Sequence, residues 1–129
     1  MLKQIKKMHE KFNITCEKIE FSHKEKEFRI CAMQEELNEY IDAEKKEDEL
    51  DALIDLIVFA LGTAERQGFL NIFEKAFNRV MKANMMKNIG TNKKRNSFQL
   101  DLVKPKNWKA PILTDLIENK SYEQLPLFK

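Results

Sequence analysis

Five carboxylates have types and spacing that could do chemistry. In Glu35-Glu36-Leu37-Asn38-Glu39, helical periodicity lets Glu36 with Glu39, and Glu35 with Glu39, aim at a common point. Like charges placed that way repel unless a cation sits between them. Acidic clusters on solvated helices are common, and this segment alone reads better as one. Asp55 changes the balance. It interrupts Leu53-Ile54-Asp55-Leu56-Ile57-Val58-Phe59-Ala60, and a run that is apolar all round predicts a central, buried helix. An ionised carboxylate buried without a partner is costly, and Asp51 lies one turn earlier on the same side. Two facing helices with inward carboxylates make an all-oxygen cage, which suits Mg²⁺ or Mn²⁺. Di-iron bundles also use such cages but draw histidine from a Glu-x-x-His turn. His9 and His23 stand in no such turn and are expected at the surface or at helix ends.

The elements that must position these residues are helical. Apolar spacing predicts helices over about 2–12, 24–43, 47–67 and 70–86, with the charged run 44–48 as a short link. Phe28, Ala32, Met33, Leu37, Tyr40 and Ile41 form the stripe of the second helix, and Phe73, Phe77, Val80 and Met81 the inward face of the fourth. Gly68 is placed to cap the third, because glycine takes the left-handed conformation without strain. Residues 91–111 have no helical period, two prolines and six basic residues, so a long loop is expected there, with an extended piece at about 98–103 and a last short helix over 112–119. The fold expected is all-α, an antiparallel bundle of four to five helices with a long basic C-terminal loop. Residues 1–111 are expected as the helical domain with its loop, and 112–129 as a short helix and tail.

Charge is segregated along the chain. The net charge is +2 over 129 residues, yet the stretch from Glu17 to Asp55 holds 14 acidic and 6 basic residues, whereas Lys75 to Lys109 holds 10 basic residues and one acidic, Asp101. One stretch can collect cations and the other phosphates, or both can be solvated faces. Cys16 and Cys31 lack metal-site spacing and are expected as free buried thiols. The absence of a long apolar stretch or a signal-peptide pattern leads us to expect a cytoplasmic protein away from membranes.

The ordered motifs resemble a known group. Glu35-Glu36-x-x-Glu39 followed by Asp51-x-x-x-Asp55-Leu-Ile-Val-Phe-Ala-Leu-Gly-Thr-Ala resembles the all-α nucleoside triphosphate pyrophosphohydrolase superfamily, which includes MazG-like enzymes, dimeric dUTPases and phosphoribosyl-ATP pyrophosphohydrolases. Val80-Met-Lys-Ala-Asn84-Met-Met-Lys87 is similar to the Asn-Met-x-Lys segment of MazG-like proteins, and Asp101-Leu-Val-Lys-Pro105-Lys-Asn-Trp108-Lys-Ala-Pro111 to the tail of phage-encoded and bacterial members. One departure stands out. The group's usual second motif is Glu-x-x-Asp, but three residues before Asp55 this chain has Ala52, and Asp51 stands as the substitute.

The resemblance implies that Mg²⁺, with Mn²⁺ as an alternative, is held by Glu36, Glu39, Asp55 and Asp51 and bridges triphosphate oxygens, while Glu35 orients or deprotonates the attacking water. The products would be a nucleoside monophosphate and pyrophosphate, in a nucleotide-pool role. Lys82, Asn84, Lys87, Lys94 and Arg95 would hold the outer phosphates, although Lys94 and Arg95 equally suit a solvated turn. Trp108 could stack on a base, but between prolines it reads better as a clasp fixing the loop. Homodimers or homotetramers are implied. Finally, Gln124-Leu125-Pro126-Leu127-Phe128 resembles the short peptide that docks into the bacterial sliding clamp, with Gln124, Leu125, Leu127 and Phe128 as its contacts; packing of Leu125, Leu127 and Phe128 on the protein's own core or a neighbouring subunit is the favoured alternative. A competing reading for the whole chain is a catalytically inactive helical protein that binds a partner through its basic loop or its tail.

Overall fold

The computed structural model describes residues 1–124, with side chains through residue 119. Five helices run α1 Leu2–Lys11, α2 His23–Asp42, α3 Lys46–Arg66, α4 Leu70–Asn84 and α5 Thr114–Gln124. A small antiparallel hairpin, β1 Asn88–Gly90 and β2 Asp101–Val103, carries a 3₁₀ turn at Lys93–Arg95 between its strands. The fold is all-α, as the periodicity predicts, and it divides into two compact units, Met1–Leu70 and the chain from Asn71 onward.

In the first unit α3 is central, packed on both α1 and α2. Local chemistry sets the helix ends. The Ser22 hydroxyl accepts a hydrogen bond from the Glu25 backbone N–H at 3.0 Å, starting α2. Glu47, Asp48 and Glu49 fill the first turn of α3, where negative charge complements the helix dipole. Its other end closes as the sequence predicts: Gly68 has φ 78°, its N–H bonds to the Glu65 carbonyl, and the Phe69 N–H bonds to the Ala64 carbonyl at 2.7 Å.

The core of this unit is unusually polar. Ile5, Ala32, Ala52, Leu61 and Ala64 are buried, but so are His9, Thr15, Arg29, Glu65 and Arg66. Arg66 grips the Glu25 carboxylate with two bonds of 2.8 Å, tying the end of α3 to the start of α2, and Arg29 shares that carboxylate. Glu65, 1% exposed, bonds to His9 Nδ1 and accepts the Cys16 backbone N–H at 3.1 Å. Gly62 makes room for this crossing, since a Cβ there would lie 3.0 Å from Arg29 Nη1 and 3.4 Å from His9 Nε2. Lys6 bridges Glu17 and Glu65.

Several expectations are corrected. His9 is buried, 2% exposed, rather than a surface group, because the Glu65 carboxylate gives its Nδ1 a hydrogen-bond partner. Cys31 is exposed and Cys16 half-buried. The apolar run of α3 is only partly covered in the chain: Leu53, Ile54 and Ile57 are 43%, 48% and 48% exposed. Phe28, Leu37, Tyr40 and Ile41 on α2, and Phe77 and Met81 on α4, are also exposed. The loop after α4 contains the β1 strand, which is too short to show an alternating pattern.

In the second unit the Trp108 indole N–H donates to the Ala83 carbonyl at 2.7 Å, with Lys87 and Lys104 lying 5.1 and 5.0 Å from its ring centre. It is the clasp that its position between prolines suggests. Arg79 pairs with Asp115 through two bonds of 2.6 and 3.0 Å, fixing the start of α5 to α4.

The ion pairs make the first unit acid-sensitive. Lys6 holds the Glu17 carboxyl down to about 2. For Glu25 and Glu65, withdrawal from water works upward but is outweighed by Arg66 and Arg29 in one case, and by His9, Cys16 and Lys6 in the other, so both are lowered. Folded-state values below the unfolded one mean that the stabilisation is complete above pH 4.5 and is lost as pH falls toward about 2. Thermal melts followed by circular dichroism should show a falling midpoint across that window. Glu65→Ala, which leaves His9 and Lys6 without their buried partner, should cost about 3–5 kcal/mol in urea unfolding.

Candidate functional site

The link at residues 43–45 turns the chain so that α2 and α3 pack side by side. This brings one carboxylate oxygen each of Glu36, Glu39 and Asp55 within 4.8 Å of one another. Glu36 and Glu39 come from one face of α2 by their three-residue spacing, and Asp55 comes from the middle of α3. Glu36 Oε2 is buried and has no hydrogen-bond partner among the described residues. Each feature is unfavourable in isolation: a buried acceptor left unsatisfied and three like charges in contact range.

The electrostatics follow. Withdrawal from water, then the close approach and charge of Glu39, then the charges of Asp55 and Asp51, push the Glu36 carboxyl above its ordinary value. For Asp55 the loss of water is again first, followed by Asp51 and Glu39, and the carboxyl also rises. A divalent cation would offset these effects by its charge, and an all-carboxylate donor set is what Mg²⁺ or Mn²⁺ takes. Glu36, Glu39 and Asp55 therefore fit a hard divalent ion.

The other acidic residues that the sequence singles out stand around this group. Asp51 is exposed and outside the tight cluster, but its charge is felt at both Glu36 and Asp55. Ala52 is 2% exposed, so the position where a glutamate is usual serves packing here. Glu35 is exposed and does not join the three. Asp55 is half-buried rather than buried. A second cluster, Cys16, Glu17 and Glu65, has comparable spacing but different chemistry. Lys6 already supplies its positive charge and the His9 ring a hydrogen-bond partner, and burial, followed by the neighbouring glutamates, pushes the Cys16 thiol up to about 11, away from the thiolate.

The cationic residues belong to the second unit. Lys82 on α4 lines a groove of about 370 Å³ with Arg79, Ala83, Met86 and the 110–112 segment. Asn84 ends α4. Lys87, Lys94 and Arg95 come together around a concave surface at the hairpin, where the Arg95 guanidinium is engaged by Asp101 through two bonds of 2.9 Å. Gln124 is the last residue of α5, and Leu125, Leu127 and Phe128 lie outside the described residues. No described helix is long and apolar enough to cross a membrane.

Sequence reasoning missed the buried network of His9, Glu25, Glu65 and Arg66. The Glu25–Arg29 spacing of four was a visible signal for part of it; the remainder depends on which helices meet.

No curated protein and no solved structure matches the chain. The family model of phosphoribosyl-ATP pyrophosphohydrolase, by contrast, matches residues 5–84, which include α2, α3 and all five carboxylates. Pyrophosphohydrolase action on nucleotides is the activity of that family, and divalent metal its usual requirement. With the carboxylates converging as they do, the chain belongs to the phosphoribosyl-ATP pyrophosphohydrolase family, within the MazG-like superfamily of nucleoside triphosphate pyrophosphohydrolases.

Proposed function

We propose that this protein hydrolyses nucleoside or deoxynucleoside triphosphates to the monophosphate and pyrophosphate, with Mg²⁺ or Mn²⁺ as cofactor, in control of the nucleotide pool. The observation that carries this reading is the convergence of Glu36, Glu39 and Asp55 around the unpartnered Glu36 Oε2. Family membership supplies the reaction class.

In this reading Glu36, Glu39 and Asp55 hold the metal, and Asp51 contributes from the exposed side. Divalent ions bound there would offset the charge that grows on the α-phosphoryl group and make a water easier to deprotonate. Glu35, next to Glu36 yet free of the cluster, is the candidate to orient that water and take its proton. Lys82, Asn84 and Lys87 are proposed to contact phosphates on the strength of the Asn-Met-x-Lys segment, with Lys94 and Arg95 as further candidates. The exposed Leu53, Ile54 and Ile57 favour a homodimer or homotetramer that covers them.

Incubation with Mg²⁺ and a panel of ribo- and deoxyribonucleoside triphosphates should release pyrophosphate, and Asp55→Asn should reduce release to background while leaving the circular dichroism spectrum unchanged. Glu35→Gln should lower kcat about 10²–10⁴-fold with metal binding preserved. Retention of full activity by Asp55→Asn would sink the metal assignment.

Metal binding also has a readout independent of turnover. In EDTA, Asp55→Asn should melt at the same temperature as the parent or higher, because one repelling charge is gone. Saturating Mg²⁺, at about a hundredfold excess over Kd, should stabilise the parent by about 2.7 kcal/mol and the variant by much less.

A further inference from the structure

Between residues 71 and 119 the chain has ten lysines and arginines against four aspartates and glutamates. Two of those four carboxylates are engaged, Asp115 by Arg79 and Asp101 by Arg95. Among the described residues, Lys87, Lys93, Lys94 and Lys104 have no carboxylate within ion-pair distance. With Arg95 these four surround one concave surface of about 670 Å³, and no carboxylate lines it. Like charges gathered in one concavity raise the local potential and attract a polyanion.

The turn that displays them is rigidly built. The Asn92 side chain accepts the Lys94 N–H at 2.9 Å, and the Asn92 carbonyl takes the N–H groups of Arg95 and Ser97 at 2.9 and 3.0 Å. Asn96 and Ser97 follow in the left-handed region, with φ 63° and 52°, and the Arg95–Asp101 pair anchors the turn to β2. Beside the cations lies apolar surface. Ile89 faces Leu102 across the hairpin; both are exposed, and Phe98, just before β2, is 57% exposed.

We propose that this hairpin binds single-stranded nucleic acid, with the lysines on the phosphates and Phe98, Ile89 and Leu102 against the bases. A duplex would satisfy the lysines but keep its base faces stacked inside, away from the apolar residues. An acidic peptide would satisfy the charge, but two three-residue strands offer an open apolar face suited to planar bases rather than pockets for side chains. The inference goes beyond the pyrophosphohydrolase reading and competes with it for Lys87, Lys94 and Arg95, so the test variants are placed at Lys93 and Phe98, which that reading does not use.

Fluorescence anisotropy with labelled oligo(dT)₂₀ and the full chain in EDTA tests this without involving hydrolysis. Saturable binding is expected to weaken about fiftyfold between 50 and 200 mM NaCl, the response of about four phosphate contacts to a single strand. Phe98→Ala should weaken it about tenfold, and Lys93→Glu should weaken it and flatten the salt dependence, both with unchanged melting temperature and pyrophosphate release. Binding of a duplex, a poly-glutamate peptide or anionic lipid vesicles as tight as that of oligo(dT)₂₀ would overturn the proposal. So would indifference to Phe98→Ala, or loss of pyrophosphate release in Lys93→Glu, which would assign the surface to the triphosphate.

Discussion

Glu36, Glu39 and Asp55 repel one another, and α2 and α3 hold them together because the same two helices are fastened elsewhere along their length. Near the short link the helices have little freedom to separate. At the far end the Arg66–Glu25 pair, shared with Arg29, joins the last turn of α3 to the first turn of α2. Between these points each helix buries a small side chain, Ala32 on α2 and Ala52 on α3. On its other side α3 is fixed to α1 through Glu65 and His9. The attractive ion pairs and the repulsive cluster are therefore two parts of one arrangement: complementary charge is used where rigidity is needed, and uncompensated charge is left where a cation can enter.

This division explains why Ala52 and Asp51 differ in consequence although they are neighbours. Position 52 is buried, so a carboxylate there would have to enter the packing around α3. Position 51 faces solvent, yet its charge reaches both Glu36 and Asp55. Moving the acidic group by one residue keeps negative potential at the cluster and frees the buried position for an alanine.

The cluster itself was legible in the sequence because it depends on local geometry. The spacing of Glu36 and Glu39 fixes their shared face, and Asp55 is conspicuous in an apolar run. The helices were legible for the same reason, to within a residue or two at most ends. What was hidden depends on tertiary partners. Nothing local to His9 announces Glu65, fifty-six residues away, and nothing in the period of α3 shows that Leu61, Gly62, Ala64, Glu65 and Arg66 at its end are buried while Leu53, Ile54 and Ile57 are not. The β1 strand was hidden because three residues carry no period, and its existence rests on pairing with Asp101–Val103.

Trp108, the chain's one tryptophan, stands in the basic unit and is flanked by two ammonium groups, with its indole N–H fastened to the α4 backbone. Ultraviolet emission therefore isolates that unit from the carboxylate-bearing one, which contributes no indole signal. Any anion that draws Lys87 or Lys104 off the ring changes the field the chromophore feels, so the unlabelled molecule carries its own optical gauge for events on its positive side.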